Sequence, residues 1–387
     1  MSGFAERTGL NPPGTKPIRY LWTDAFAVSN FLELFLRTGE RTFKDLAVSL
    51  IQQVHHTLGR HRQDDSRHGW ISGLNEQEGE IHPTAGGLRI GKKLPERGRG
   101  ELFDQVLEWD RDGQYYHYLI KWMQALNRTA LITGNQRYLA WAVELARAAH
   151  EGFVYTPEHG GGKRMFWKMS IDLSRPQVAS MGQHDPLDGL TAYLEIKFTA
   201  STGEKILPGL LDQEIDHLAA ICRDSYWATE DPLGLGGLLC DAYQLARILL
   251  LSQPSVPLGL LPDILKGSLE GLSAYSVSGA LSVRPEYRLA FREFGLAIGL
   301  AAIENLHTLL ANNHPAFDNA SLILTITDQL LSYASLREDI NKFWQIPTNQ
   351  QTSTWREHRE INTVMLATSL APACFLTLPT DRFPLQH

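Results

Sequence analysis

The same short corner occurs three times in this chain. An apolar run ends at Thr-Gly, and a few polar residues lead into another run, in "RTGERTF" at Arg37, "ITGNQRY" at Ile132 and "STGEKIL" at Ser201. Glycine adopts the left-handed conformation that follows a helix end without steric cost, and Glu or Asn suits the start of the next helix. The repeat therefore predicts tightly turned helical hairpins.

Apolar residues at helical spacing extend this pattern along the chain. They predict five hairpins, at residues 23–38 with 41–60, 114–133 with 136–152, 187–202 with 208–224, 236–252 with 260–275, and 288–310 with 317–335. An unpaired last helix is predicted at residues 355–370. First helices such as "GGLLCDAYQLARILLL" are apolar around most of their circumference, whereas second helices such as "QRYLAWAVELARAA" have a polar face. A helix that is apolar all round is buried on both sides. We therefore predict inner helices surrounded by outer helices.

With these hairpins, the Thr-Gly corners and the polar clusters at the starts of inner helices, the chain resembles the six-hairpin glycosidase-like (α/α)6 superfamily. That superfamily includes unsaturated glucuronyl hydrolases and N-acylglucosamine 2-epimerases. The resemblance implies an all-α, double-ring toroid in which residues 1–387 form a single domain. The pattern lacks a twelfth helix, so we expect either "CFLTLPTDRF", from Cys374, or an early segment to fill its place.

Two connections are much longer than the helix corners, at about residues 61–113 and 153–185. Loops of this length usually carry function or some structure of their own. Alternation in "KRMFWKMSIDLS", from Lys163, predicts a strand, and "EGEIHPTAGGLRIGKKL", from Glu78, could form a glycine-turned hairpin. We expect small β elements over one mouth of the ring.

Composition limits the classes of partner. With 43% hydrophobic residues, 20% charged residues and a net charge of -7, the chain suits a globular protein and lacks the basic surface that nucleic acid requires. Cys222, Cys240 and Cys374 lie far apart in apolar segments, which favours buried thiols. The N-terminus has no secretory apolar core, and no stretch reaches the ~20 apolar residues of a membrane span. We expect a cytoplasmic protein with neither nucleic acid nor membrane as a partner.

Polar residues concentrate where the long connections enter two inner helices, in "EWDRDGQYYHY" from Glu108 and "MGQHDPLDGL" from Met181. Inner helices of such a ring run the same way, so their N-termini should meet at one mouth. An aspartate can cap a helix, and Asp185 before Pro186 has the sequence of an N-cap, with Asp188 near a capping-box position. One cap per helix leaves the other acids, amides and histidines unexplained. We therefore predict a concave polar site for hydroxyl groups.

The residues predicted to be catalytic are Asp110, Asp185, Asp188, His117 and Glu360. Asp110 is the first candidate for the acid that protonates a leaving oxygen, and Asp185 or Asp188 would activate water or stabilise positive charge. A capping role for Asp110 or Asp112 stays open, as does a core position for His117.

The residues predicted to contact the substrate are Glu108, Trp109, Gln114, Lys121, Gln183, His184, Trp70, Trp167, Trp227, Arg292, Trp355, Arg356 and His358. Aromatic faces beside polar groups fit the alternating C–H and O–H surfaces of sugars, although a single Trp is more often a core residue. Lys121 lies one turn after His117 and can pair with an acid of a neighbouring helix. Glu360 follows Arg356 by four residues, so a surface ion pair is the alternative there.

Metal and nucleotide motifs are absent from the sequence. His55, His56 and His61 lie on or just past an outer helix without an HExxH pattern, and "HGGGKR" lacks P-loop spacing. We expect no cofactor. The leading prediction is a carbohydrate-active, glycoside hydrolase-like enzyme that acts on a small or unsaturated saccharide by carboxylate acid/base catalysis. The alternatives are a sugar 2-epimerase or isomerase with histidine acid/base pairs, and a non-catalytic toroid that binds a saccharide or a protein.

Overall fold

In the part of the chain that the structure describes, α-helices predominate, and there are five strands of two or three residues each. The computed structural model describes residues 1–14, 16–203, 209–223, 225–252, 254 and 256–378. These residues divide into two units, of which the first is Met1–Ile221 with Leu378 and the second is Cys222–Thr377. The predicted all-α class is confirmed.

The first unit contains the two long connections. Its elements are α1 (Ser2–Arg7), α2 (Leu21–Thr38), α3 (Arg41–Leu58), α4 (Glu76–Ile81), α5 (Gln105–Glu108), β1 (Gln114–Tyr115), α6 (Tyr116–Thr133), α7 (Gln136–Phe153), β2 (Val154–Tyr155), β3 (Arg164–Met165), β4 (Lys168–Met169), β5 (Pro176–Val178), α8 (Asp185–Ser201) and α9 (Asp212–Cys222). The six long helices predicted here are present, and α2 packs on α3 as α6 packs on α7.

Two of the three Thr-Gly corners have the predicted geometry. Gly39 after α2 and Gly134 after α6 are left-handed, with φ of 74° and 70°, and each N–H donates to a carbonyl of the last helical turn. After α8 the next residue, Thr202, is right-handed instead. The rest of that corner, residues 204–208, lies outside the described residues.

Helices α6 and α8 run parallel and in register. Lys121 bonds to Asp188 and Arg128 bonds to Glu195, and both pairs are 67 residues apart in the chain. A constant separation over two turns is possible only if the helices point the same way. Helix α6 also packs against α2, so the three predicted inner helices of this unit are neighbours.

The start of α2 lies at the same end of the unit as the start of α6. The hydroxyl oxygens of Tyr20 and Tyr118 are 2.7 Å apart, and the Trp22 ring packs against the rings of His117 and Tyr118. The prediction that inner-helix N-termini meet is therefore confirmed for α2, α6 and α8. Closure of a ring through further inner helices stays a prediction.

The long connections carry small β elements, as predicted. Strands β1, β4 and β5 form an antiparallel sheet in that order, and β2 pairs with β3. The predicted strand from Lys163 is present as β3 and β4. The hairpin predicted from Glu78 is wrong, because this segment begins inside α4, where the Asn75 side chain accepts a hydrogen bond from the Glu78 N–H and caps the helix.

The second unit contains the remaining helices. They are α10 (Pro232–Ser252), α11 (Leu260–Val277), α12 (Ala290–Asn313), α13 (Ala320–Leu331), α14 (Ser335–Gln345), α15 (Ser353–Glu357), α16 (Arg359–Leu370) and α17 (Ala373–Leu376). The sequence missed α14, which packs against α12 and α16. Of "CFLTLPTDRF" only residues 374–378 are described, and most of α17 falls among them.

Two helices, α10 and α12, form the apolar centre of the second unit. Gly236 of α10 lies against the backbone of Gly295 on α12, and Gly299 lies against Gly236, so a side chain at any of these positions would collide with main chain or neighbours. By length and composition both helices could cross a membrane, but 72% and 67% of their apolar windows are buried within the protein. Their predicted burial on both sides is confirmed, and the three cysteines are buried thiols.

Candidate active site at the starts of α6 and α8

Three basic side chains of α6 face three acidic side chains of α8. We call this set the acid–base ladder, and its rungs are His117–Asp185, Lys121–Asp188 and Arg128–Glu195. The spacing of four and seven residues on α6, and of three and seven on α8, puts each set on one helical face. The ladder therefore follows from two sequence patterns that meet when the helices pack.

The first rung differs from the other two because it is open. His117 Nδ1 and Asp185 Oδ1 are 3.8 Å apart, which is too long for a hydrogen bond. His117 Nδ1 and Asp185 Oδ2 are both buried without a hydrogen-bond partner among the described residues. Unpaired buried polar atoms are destabilising, so their presence indicates a place for a ligand or a water molecule.

Neither acid of α8 caps its helix. The N-cap position is His184, and α8 has no side-chain cap hydrogen bond. Asp188 instead accepts a hydrogen bond from Lys121, with 2.6 Å between Nζ and Oδ1. Asp185 and Asp188 therefore do not serve as the N-cap of α8, and this observation favours the alternative, a polar site.

Burial sets the protonation states of the first rung. It raises the pKa of Asp185 to about 8, with help from the Asp188 charge and against the opposing effect of Lys121. Burial also lowers the pKa of His117 well below its usual range, and the Lys121 ammonium acts in the same direction. At neutral pH an uncharged acid thus stands beside an uncharged base. The His117 side chain is still 25% exposed, so a ligand can reach it.

The two deeper rungs are closed ion pairs. The side chains of Lys121 and Asp188 are 9% and 10% exposed, and this pair supports the predicted pairing of Lys121 with an acid of the next helix. Arg128 and Glu195 are fully buried at 3.2 Å. These two rungs hold α6 and α8 in register, whereas the first rung is open.

A row of aromatic rings leads from the first rung to the surface. The Tyr115 ring stacks on His117 at 5.4 Å, Trp167 packs on Tyr115 at 5.2 Å, and Trp109 packs edge-on against Trp167 at 5.1 Å. Strand β1 holds Tyr115, and its pairing with β4 brings Trp167 alongside. Trp109 is 48% exposed. The predicted sugar-contacting residues Trp109 and Trp167 therefore lie beside the ladder.

Two further predicted residues, Gln183 and His184, immediately precede Asp185 in the chain. Gln183 is exposed and His184 is half-buried. Both make interactions within the protein.

Asp110 does not belong to the ladder. Its side chain is exposed in the loop after α5, and its carbonyl accepts a hydrogen bond from the Leu94 N–H. Asp112 is fully buried, where it accepts hydrogen bonds from the guanidinium groups of Arg89 and Arg62. Neither acid caps α6, which has no side-chain cap. A catalytic role for Asp110, the first candidate acid, stays a prediction.

Glu108 is a structural ion-pair partner. Lys168 Nζ lies 2.9 Å from one carboxylate oxygen, and Arg97 Nε lies 3.1 Å from the other. With both oxygens engaged and 4% exposure, Glu108 joins the two long connections. A substrate contact of Glu108 stays a prediction.

Gln114 is likewise a structural residue. It is fully buried, and its amide bonds only to the protein backbone. The partners are Gly86 O, Ile171 O and Leu88 N. Both ends of the amide are therefore engaged within the protein, and a substrate contact of Gln114 stays a prediction.

Three of the predicted tryptophans are core residues. Trp70 is 2% exposed and lies under the guanidinium of Arg60. In the second unit, Trp227 is 3% exposed, and Trp355 is 6% exposed and stacks on Trp344 at 5.6 Å. In the sequence, their positions in loops and at helix starts did not distinguish these buried tryptophans from exposed ones.

The other predicted residues belong to the second unit. Arg292 forms an ion pair with Asp231 at 2.6 Å, and His358 packs beside Phe291 at the break between α15 and α16. Of the two remaining residues, Arg356 is exposed and Glu360 is half-buried. A catalytic or substrate-binding role for these four residues stays a prediction.

Sequence reasoning missed the aromatic residues that enclose His117 on the side of α2. Tyr118 and Trp22 pack against the imidazole, at 4.8 Å and 5.8 Å between ring centroids, and Tyr20 bonds to Tyr118. Burial raises the pKa of Tyr20 to about 12. The sequence does carry a signal for these residues, because "YLW" from Tyr20 and "YYHY" from Tyr115 are similar aromatic clusters at the starts of two inner helices.

Among the described residues, no group of three His, Cys, Asp or Glu side chains is arranged to hold a metal ion.

Comparison with known proteins finds similarity in the fold. No protein-family model and no curated protein matches the chain. Solved structures that match include cellobiose 2-epimerase from Spirochaeta thermophila DSM 6192, at 13% identity over 92% of this chain and 87% of that chain, with a TM-score of 0.47.

Two further sugar epimerases match to a similar extent. One is a sugar epimerase from a ruminal bacterium, at 10% identity, 92% and 88% coverage and a TM-score of 0.46. The other is cellobiose 2-epimerase from Bacillus thermoamylovorans B4167, at 10% identity, 91% and 88% coverage and a TM-score of 0.47. At this identity the likeness assigns no activity.

Proposed function

We propose that this protein is a carbohydrate-active enzyme that moves a proton on a sugar, a 2-epimerase or isomerase. The observation that carries the proposal is the open first rung, in which neutral His117 and protonated Asp185 face each other at 3.8 Å with unpaired polar atoms. A base and an acid held side by side, each in the form its task needs at neutral pH, suit general acid/base catalysis.

The proposed reaction begins with the open-chain form of a reducing sugar. His117 takes the proton from C2 while Asp185 gives its proton to the carbonyl oxygen, so the C–H electrons form the C=C bond of an enediol. A proton returned to C2 on the opposite face, while Asp185 takes back the C1 hydroxyl proton, restores the C1 carbonyl and gives the 2-epimer. A proton returned to C1, while Asp185 takes the C2 hydroxyl proton, forms the C2 carbonyl and gives the ketose. His184, next to Asp185 in the chain, is the candidate for the second face.

The surroundings support this assignment. Tyr115 stacks on the imidazole and orients it. Lys121 and Asp188 place a compensated ion pair one turn below, which leaves the first rung without net charge. Trp167 and Trp109 offer ring faces to the C–H surface of a sugar.

Glycoside hydrolysis, the leading prediction from the sequence, has one observation in its favour. Asp185 is protonated at neutral pH while Asp188 is paired with a cation, and a glycosidase needs one carboxyl in each state. However, the two acids are three residues apart on one helix and so project side by side. Hydrolysis uses carboxyls that flank the scissile bond. The geometry therefore favours proton transfer at carbon.

The test is an assay of two reactions on the same protein. Reducing sugars, namely D-glucose, D-mannose, N-acetyl-D-mannosamine and cellobiose, are followed by NMR for 2-epimers and ketoses. Aryl glycosides and an unsaturated disaccharide are followed for new reducing ends. We expect epimer or ketose formation, with a loss of about 10²-fold or more in kcat for His117→Ala and Asp185→Asn.

Asp110→Asn is the matched control, because it changes an exposed Asp outside the ladder and should leave kcat within about twofold. New reducing ends without epimer would establish hydrolysis instead. Full turnover by Asp185→Asn would contradict the role proposed for Asp185, and no turnover of any of these sugars by the parent would favour the non-catalytic alternative.

A further inference from the structure

A cavity of about 480 Å³ lies on the outer side of the first unit, between α3, α4 and α7. Its lining includes His55, Trp70 and Trp141, and none of the ladder residues. Trp70, which the sequence predicted to bind a sugar, lines this cavity. Its size is in the range of small-molecule sites, about 300–1,000 Å³.

The floor of the cavity is built from aromatic rings. His55 and Trp141 are 2% and 7% exposed, and their rings meet edge to face at 4.8 Å. Trp141 Nε1 donates to Ile81 O, and His55 Nε2 accepts from Trp122 Nε1. Burial lowers the pKa of His55 to about 3, so its ring is neutral. The rings therefore present apolar surface to the cavity.

The edge of the cavity offers hydrogen-bonding groups. The amides of Gln52 and Gln53 both line it. Gln53 Nε2 donates to Gly9 O, whereas Gln53 Oε1 is buried and has no donor among the described residues. A buried carbonyl oxygen of this kind is satisfied by a hydroxyl or a water that occupies the cavity.

The charges around the cavity balance. Glu80 lies 3.0 Å from His56 and 3.6 Å from Arg60, so its carboxylate has cationic or hydrogen-bonding partners. The Arg137 guanidinium lies over the Trp141 ring at 5.7 Å. No excess of one sign would select an anion or a cation.

We propose that this cavity is a second binding site, and that it takes one neutral, polyhydroxylated ring, a monosaccharide unit. Aromatic floor, amide and carboxylate edge and balanced charge together match a sugar, whose C–H face stacks on rings while its hydroxyls donate and accept hydrogen bonds. The site is independent of the proposed catalysis at His117 and Asp185, and it would hold a sugar unit on the outer wall of the protein.

The test is isothermal titration calorimetry with the methyl α- and β-glycosides of D-glucose, D-galactose and D-mannose. These probes have no free carbonyl and cannot be epimerised. At least one is expected to bind the full chain. Gln53→Leu should weaken that binding about tenfold or more, since it removes the unpaired acceptor, whereas Asp185→Asn should leave the Kd within about twofold.

A second variant covers the case in which Gln53→Leu does not fold. Gln52→Ala with Glu80→Gln changes only groups at the cavity edge, and its melting temperature is checked against that of the parent. It should also weaken binding about tenfold. Unchanged binding in a folded cavity variant, the absence of binding by all six glycosides up to about 50 mM, or a loss of binding in Asp185→Asn alone would overturn the proposal.

Discussion

Asp185 stays protonated in the folded protein because burial and the neighbouring Asp188 charge outweigh the attraction of Lys121. A carboxyl whose pKa is raised on folding, here to about 8, favours the folded state fully below its unfolded pKa near 4. That contribution is lost as the pH rises from about 4 through 8, since the buried group must then ionise. The residue proposed to be catalytic is therefore also a source of instability at alkaline pH.

Replacement of this group should stabilise the protein in a pH-dependent way. We expect Asp185→Asn to melt a few degrees above the parent at pH 8.5 and to match it at pH 4, because the amide cannot ionise. Differential scanning fluorimetry at both pH values measures the effect. An equal shift at the two pH values would show that Asp185 ionises normally.

The same ionisation should limit activity. With His117 neutral across the accessible range, kcat/KM should stay level through neutral pH and fall above about 8, as Asp185 loses its proton. Asp188→Asn removes a charge that raises the pKa of Asp185 and frees Lys121 to lower it. The fall should therefore move to lower pH.

Rate profiles of the parent, Asp188→Asn and Asp110→Asn test this shift. Asp110→Asn, which alters an exposed acid, should leave the profile in place. If kcat/KM falls at the same pH in Asp188→Asn as in the parent, the ionisation of Asp185 is not the cause of the fall.

At the scale of elements, the third rung fixes the register of α6 against α8. Arg128 and Glu195 are buried to 0% and 1% exposure, so removal of one leaves an uncompensated charge in the interior. We expect Arg128→Met to lower the free energy of unfolding by about 3–5 kcal/mol, and the double variant with Glu195→Met to lose less than the sum of the two single losses. Urea titration of the two single variants and the double variant measures the coupling. Additive losses would contradict a direct pair.

Most of the helices could be predicted because local signals mark them. Gly39 and Gly134 end α2 and α6 in the left-handed conformation, and burial follows the apolar periodicity. Helix α14 was missed since "SLREDINKFWQ" is polar apart from a few residues that pack on α12 and α16. Such a helix is stabilised by tertiary contacts that the local sequence does not display.

The site could be predicted only in part, for a similar reason. Asp185, Asp188, His117 and Lys121 lie at inner-helix starts, and their spacing on each helix is visible in the sequence. The pairing of Lys121 with Asp188 across 67 residues is not visible, and neither is the bonding of the Gln114 amide to the backbone. Local sequence states which side chains are present, whereas long-range packing decides which of them are already satisfied.

At the scale of the whole molecule, the alternation of inner and outer helices predicts one toroid domain of residues 1–387. A single domain should unfold in one transition. Differential scanning calorimetry of the full chain is expected to show one peak whose calorimetric and van't Hoff enthalpies agree. Two resolved peaks would indicate that Met1–Ile221 and Cys222–Thr377 unfold as separate domains.

The most direct measurement of the central claim is deuterium incorporation from D2O. If His117 removes the proton from C2 while Asp185 protonates the carbonyl oxygen, conversion of a reducing sugar should leave solvent deuterium at C2 of an epimer or at C1 of a ketose. NMR and mass spectrometry should detect it with the parent and with Asp110→Asn, and not with His117→Ala. Product formed by the parent without carbon-bound deuterium would contradict the account.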